Sequence, residues 1–256
     1  MATSILNRPA RQSSGIRPHR LLVTRKSSDG ELYRPLGFLS FEKNEYSFEY
    51  IKKSVESNWF SPLPGLSNAA HAYRSPQLFP IFAERVISSR RPDRPEALRA
   101  LGLSADAAPF EVLNRTGGRR VGDTIELVPM PEVSADGSFS QLFLVHGVRY
   151  ISEVAQRRIS QLQPGEELRL SPDEANPVNS LAVQVEDCEG LILGFVPDPL
   201  ASFVQSILAD PRGHRVSAEQ ANGPAVGYHF RLLARLDGFV RPGFEPFTDS
   251  DWETVR

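Results

Sequence analysis

Arg149 and Tyr150 stand side by side after a glycine, in Gly147-Val148-Arg149-Tyr150, and no other stretch of the chain points so directly at a chemistry. A guanidinium next to an aromatic ring suits a phosphate and the face of a stacked base. The same region holds the polar turn Asn176-Pro177, an apolar run over 181–185 and a glycine-turned run over 191–196 that ends at Pro197. The plain alternative is a surface arginine, a half-buried strand tyrosine and an ordinary Asn-Pro turn.

Other chemistries lack their residues. The five histidines (19, 71, 146, 214 and 229) never sit at metal-ligand spacing, and the single cysteine, Cys188, lies in a turn with no nearby base. Arg119 and Arg120 follow Gly117-Gly118, but without a GxxxxGK[ST] or GxGxxG pattern they read as a solvated turn. Ser104-Ala105-Asp106 reads as helix capping rather than as part of a triad. No metal, cofactor or catalytic residue is expected, and the chain reads as a binding protein, not an enzyme.

The elements that must position these residues fall into two sets. At 256 residues the chain has room for two modest domains, each with its own core. A hydrophobic content of 40% and a charged content of 23% are ordinary for a soluble globular protein. The net charge of −2 gives no whole-molecule attraction for DNA or an anionic membrane. One cysteine excludes an internal disulfide framework and fits a reducing, cytoplasmic setting. No apolar run approaches the roughly 18 residues of a membrane span, so no membrane partner is expected. Residues 1–18 carry Arg8, Arg11 and Arg17 without an acid and read as a disordered basic arm.

In the first half, strands are expected over 21–25, 33–41, 46–50 and 124–128, and helices over 79–86, 94–102 and 108–113. The breaker-rich stretch 131–140 reads as a linker between a domain over 19–130 and one over 141–238. In the second half, strands are expected over 141–145, 167–170, 181–185, 191–196 and 228–236, with a helix over 152–163. Asp198 is expected to cap a helix with Pro199 at its first position and a buried stripe of Leu200, Phe203, Val204, Ile207 and Leu208. In the tail, 239–256, Phe244, Phe247 and Trp252 are expected to dock back on the body.

Over 141–237 the chain resembles a HIRAN domain, a small β-barrel module. The resemblance is carried by Gly147-Val148-Arg149-Tyr150, Asn176-Pro177, Leu181-Ala182-Val183-Gln184-Val185 and Gly194-Phe195-Val196-Pro197 followed by a helix. Members in helicase-like repair factors bind single-stranded DNA, particularly its free 3′ end. The resemblance implies that Arg149 and Tyr150 take a phosphate and a base face, and that Asn176 bonds the end nucleotide. The family's Asn-Pro-Tyr-Asp-x-Asn-Ala run here reads Asn176-Pro177-Val178-Asn179-Ser180-Leu181-Ala182, so Val178 replaces a stacking tyrosine and Asn179 an acid. Phe195, where some DNA-binding members have histidine, is a stacking platform or core. Across 141–237 eight arginines face twelve acids, a balance of −4, so binding would rest on a local patch helped by Arg157, Arg158 or the basic arm.

Residues 21–129 resemble the N-terminal subdomain of HipA-type toxin kinases, through Gly37-Phe38-Leu39, Tyr46-Ser47-Phe48-Glu49-Tyr50, Ser61-Pro62-Leu63-Pro64, Leu78-Phe79-Pro80-Ile81-Phe82 and Phe110-Glu111-Val112-Leu113 through Gly117-Gly118. Arg85-Val86-Ile87-Ser88 stands where that family has Leu-Leu-Pro, and no kinase core follows.

The expected fold is α+β in two domains: an N-terminal HipA-N-like small sheet with helices, and a C-terminal HIRAN-like small β-barrel with short helices. The expected function is a non-enzymatic adaptor that binds single-stranded DNA or DNA ends and, by the second resemblance, a HipA-like kinase or other operon partner in toxin–antitoxin regulation or phage defence. The alternative is an antitoxin-like or scaffold protein without DNA binding.

Overall fold

The computed structural model describes residues 20–27, 32–120, 122, 124–241 and 243–255. The expected basic arm, 1–18, lies outside them. The N-terminal half runs β1 (Arg20–Lys26), β2 (Tyr33–Glu42), β3 (Glu45–Tyr50), α1 (Lys52–Val55), β4 (Tyr73–Ser75), α2 (Pro80–Ala83), α3 (Arg94–Arg99), α4 (Pro109–Thr116) and β5 (Ile125–Pro129). Its strands form one antiparallel sheet in the order β4-β3-β2-β1-β5.

Strand β1 is where the two halves meet. Leu21, Leu22, Val23 and Thr24 are all buried, which a strand achieves only with both faces covered. Leu21 and Val23 point into a core with Phe48, Tyr50, Phe82 and Leu113. Leu22 points the other way, with Phe38, Ile51 and Val128, into a core shared with Phe143, Phe203 and Ile207 of the C-terminal half. The N-terminal half thus keeps a core of its own on one face of its sheet, while Leu22, Phe38, Ile51 and Val128 on the other face join the core of the C-terminal half, so the two cores are not fully separate. Each such leucine contributes roughly 1.5–3 kcal/mol when fully buried. On the outer face, the Tyr50 hydroxyl accepts from the Leu63 N–H (2.6 Å) and donates to the Leu66 carbonyl (2.8 Å), pinning the Pro62-Leu63-Pro64-Gly65 loop. Burial pushes that hydroxyl up to about 12.

The C-terminal half runs β6 (Ser138–Leu144), α5 (Glu153–Ile159), β7 (Glu167–Pro172), β8 (Val183–Glu186), β9 (Ile192–Phe195), α6 (Asp198–Leu208), β10 (His214–Ala221) and β11 (Leu232–Phe239). Its sheet has the order β6-β11-β10-β7-β8-β9. The chain just past β6 then meets β9: the His146 N–H donates to the Phe195 carbonyl (2.8 Å) and the Phe195 N–H to the His146 carbonyl (2.9 Å). This single bridge brings the two sheet edges together and curls the six-stranded sheet into a half-barrel, a coarser form of the small barrel expected. The stripe expected for α6 is buried at Leu200, Phe203, Val204 and Ile207.

Several details differ from expectation. β10 was not foreseen, because Val216 and Ala218 are its only buried apolar residues. The strand expected over 228–236 starts at Leu232, after a single 3₁₀ turn at Tyr228–Phe230. Within 131–140, Val133 bridges Phe139, and β6 has begun at Ser138. The tail does dock: Trp252 packs on Phe38 and Phe247, the Lys52 N–H donates to the Glu253 carbonyl and the Val255 N–H to the Tyr50 carbonyl, while Phe244 stays exposed. Among the described residues no helix is long and apolar enough to cross a membrane.

Gly194 is what the barrel closure requires. Its φ is +143°, and a Cβ there would lie 2.3 Å from the His146 carbonyl oxygen and 2.6 Å from Val145 Cγ1. Gly194→Ala is expected to lower stability by about 2–3 kcal/mol through strain and lost closure. Urea unfolding checks this, and an unchanged midpoint would show that the bridge tolerates a side chain.

Candidate nucleic-acid interface

The barrel closure fixes the geometry of the residues picked out in the sequence. Gly147 follows His146 directly, and its position lies 3.0 Å, measured from a Cβ built on it, from the Phe195 ring. Its φ of +75° starts a turn closed by the Tyr150 N–H donating to the Gly147 carbonyl (2.8 Å). That turn buries Val148 and throws Arg149 and Tyr150 outward, with Tyr150 84% exposed. Among the described residues neither side chain has a hydrogen-bond or ion-pair partner. An unpaired arginine beside a solvent-facing aromatic ring can receive an anion and a planar group at low cost.

Asn176 and Asn179 arrive from the segment between β7 and β8 and are already occupied. The Asn176 side-chain oxygen accepts from the N–H groups of Val178 and Asn179 (3.1 Å each), and its amide donates to Asp173 (3.0 Å). The Asn179 oxygen accepts from the Leu181 N–H (2.9 Å), and its amide donates to Asp198 (3.2 Å). Both asparagines build the turn, and one amide hydrogen of each is left over for a ligand. Asp198 is not the helix cap: it is the first residue of α6, after Pro197, and holds the turn through Asn179. Val178 and Leu181 are exposed on that turn, where the family pattern has a tyrosine and an asparagine.

Phe195 is half-buried at the closing bridge, so its ring is part wall and part surface. Thus Arg149, Tyr150 and Phe195 are brought to one end of the barrel, and Asn179 is tied to the same end through Asp198. Arg157 and Arg158 on α5 divide. Arg157 is exposed, 3.6 Å from Glu153 one turn back. Arg158 is committed to Glu166 and to the buried Asp187 (2.9 Å), so its expected help with a phosphate backbone is replaced by a structural task.

Sequence reasoning missed a second cluster at the seam with the N-terminal sheet. His146 Nε2 lies 2.8 Å from Glu126 Oε1, and the Glu126 side chain is 4% exposed. Arg119 lies 3.7 Å from Glu126 Oε2 and bonds to the Tyr33 hydroxyl. The expectation of a solvated Arg119–Arg120 turn holds for Arg120, which is exposed and pairs with Glu84 at the surface, and fails for Arg119, which is half-buried in this cluster. Burial pushes the Glu126 carboxyl up, but His146 and then Arg119 outweigh it and hold it below the usual range. The one available signal was an acid, Glu126, inside the apolar run 125–128. Among the described residues no group of histidines, cysteines and acids could hold a metal ion.

The Arg158 pair gives a prediction with a pH sign. Burial raises the Asp187 carboxyl, but the Leu191 N–H, Arg158 and the Glu189 N–H together depress it; Glu166 is depressed by the Gln163 N–H and then Arg158. Depressed carboxylates stabilise the fold above their ordinary range, and that stability is lost as pH falls through the folded values. Arg158→Ala is therefore expected to cost about 1.5–3 kcal/mol at neutral pH. Its gap to wild type should narrow below about pH 4. Arg157→Ala should change stability by less than about 0.5 kcal/mol. Thermal melts of both variants across pH check the contrast.

Among solved structures, the chain is similar to the crystal structure of the HIRAN domain of human HLTF, at 19% identity over 43% of this chain and 77% of that one, with a TM-score of 0.27. It is also similar to a crystal structure of a protein from Lactobacillus plantarum, at 16% identity over 40% of this chain and 99% of that one, with a TM-score of 0.30. No curated protein matches the chain. The HipA-type likeness of 21–129 finds no support in these comparisons. The family match lies entirely in the C-terminal half: residues 138–228 match the model of the HIRAN domain family.

Proposed function

We propose that this protein binds the end of a single-stranded nucleic acid, preferably DNA, at the closing end of its C-terminal barrel, without catalysing a reaction on it. The observation that carries the reading is the Arg149–Tyr150 pair, unpaired and solvent-facing within the stretch that matches the HIRAN family. In the proposed complex the Tyr150 ring stacks on a base near the end and Arg149 takes the adjoining phosphate. Phe195 forms the floor, Asn176 and Asn179 offer their remaining amide hydrogens, and Arg157 stands on α5 as a peripheral cation. The −4 balance of the barrel rules against a general grip on the backbone and favours contact at a few nucleotides.

The N-terminal half would serve as the protein-interaction module of an adaptor. Its residue likeness to HipA-type kinases supports a HipA-like kinase as partner and toxin–antitoxin regulation or phage defence as the setting. A protein-interaction role without DNA is the second reading, favoured by Val178 in place of a stacking tyrosine.

Fluorescence polarisation with a short single strand tests the first reading. Tyr150→Ala and Arg149→Ala are each expected to weaken binding by about 1–3 kcal/mol, roughly five- to 150-fold in Kd. Blocking the 3′ end should weaken binding of the wild type. Equal binding by wild type and the double variant, or no binding at low salt, favours the second reading.

A further inference from the structure

The strand-end site does not stop at the barrel. The residue before the Gly147 turn, His146, has its ring 6.0 Å from that of Tyr33, on β2 of the N-terminal sheet. Tyr33 in turn is ringed by cations of the same half: the Arg119 guanidinium carbon stands 5.6 Å and Lys26 Nζ 6.0 Å from its ring centroid. Among the described residues Lys26 has no carboxylate partner, and Arg119 keeps donors free after meeting Tyr33 and Glu126. Among the described residues the acid that Arg119 meets, Glu126, is buried and covered by His146, so its charge does not face the surface. β2, which carries Tyr33, also packs against α6, the helix that follows Phe195. The barrel itself carries a balance of −4 and offers few free cations, yet a bound single strand runs on past its end nucleotide for roughly four or more positions.

We propose that the binding site is shared between the two halves: Lys26 and Arg119, held around Tyr33, take the phosphates of the strand as it leaves the Arg149–Tyr150 turn and crosses onto the N-terminal sheet. The ligand is a single strand long enough to span the seam, and the N-terminal sheet supplies the positive charge that the barrel lacks. This rests on the strand-end reading given above. It predicts a length dependence: a two-nucleotide ligand meets only the barrel, and a longer strand gains the seam.

The test is the salt dependence of binding of a labelled ten-nucleotide single strand to the full chain. Lys26→Gln and Arg119→Gln are each expected to lower the slope of log K against log salt by about 0.7 and to weaken binding about three- to tenfold at low salt. Neither should change binding of a dinucleotide. Lys43→Gln, on the exposed β2–β3 turn, serves as the control and should leave the slope unchanged. Because Arg119 touches buried Glu126, Lys26→Gln is the deciding variant should Arg119→Gln fail to fold. If Arg149→Ala/Tyr150→Ala abolishes binding while Lys26→Gln keeps the wild-type slope and affinity, the shared site is overturned and the strand-end reading stands. If the wild type binds no strand, both fall together.

Discussion

His146 is the residue on which the rest of the arrangement depends, because its backbone and its side chain hold different parts of the molecule. Its N–H and carbonyl close the barrel on Phe195, and its imidazole reaches Glu126 on the N-terminal sheet. The glycine turn carrying Arg149 and Tyr150 begins at the next residue, so the closure sets where that pair points. Gly194 permits the approach, since any side chain there would overlap the His146 carbonyl. Closure, seam and candidate site are in this sense one piece of structure.

The two halves are also joined by burial rather than by a linker alone. β1 sends alternate side chains to opposite faces, so Leu22 is part of the core that holds Phe143 and Ile207 while Leu21 belongs to the outer one. The C-terminal tail adds a strap, with Trp252 on Phe38 and the backbone of 253–255 on Tyr50 and Lys52. A ligand crossing the seam would thus meet a surface whose two sides are held by a common core. Such preorganisation lowers the ordering cost of binding.

Much of this was legible in the sequence, and what was not has a physical reason. Period-2 alternation located β3 and β8, flanking turn residues marked β2 and β9, and the glycine and Asn-Pro turns marked the segments that converge at the barrel end. β10 escaped because a strand flanked on both sides by β7 and β11 can use small and polar residues such as Ser217 and Ala218, which leave no apolar signature. Arg157 and Arg158 look alike in sequence; only the fold brings Asp187, 29 positions away, against one of them. The seam cluster of Tyr33, Arg119, Glu126 and His146 is assembled from four separate segments, so no local spacing rule could reveal it.

The most direct measurement is a backbone-amide NMR titration of the full chain with a short single strand ending in a free 3′ hydroxyl. The account predicts that the largest shift changes fall at 147–150 and Phe195, and spread to Lys26, Tyr33 and Arg119 once the strand is lengthened. Changes confined to a surface away from the His146–Phe195 bridge, or none at millimolar ligand, would contradict it.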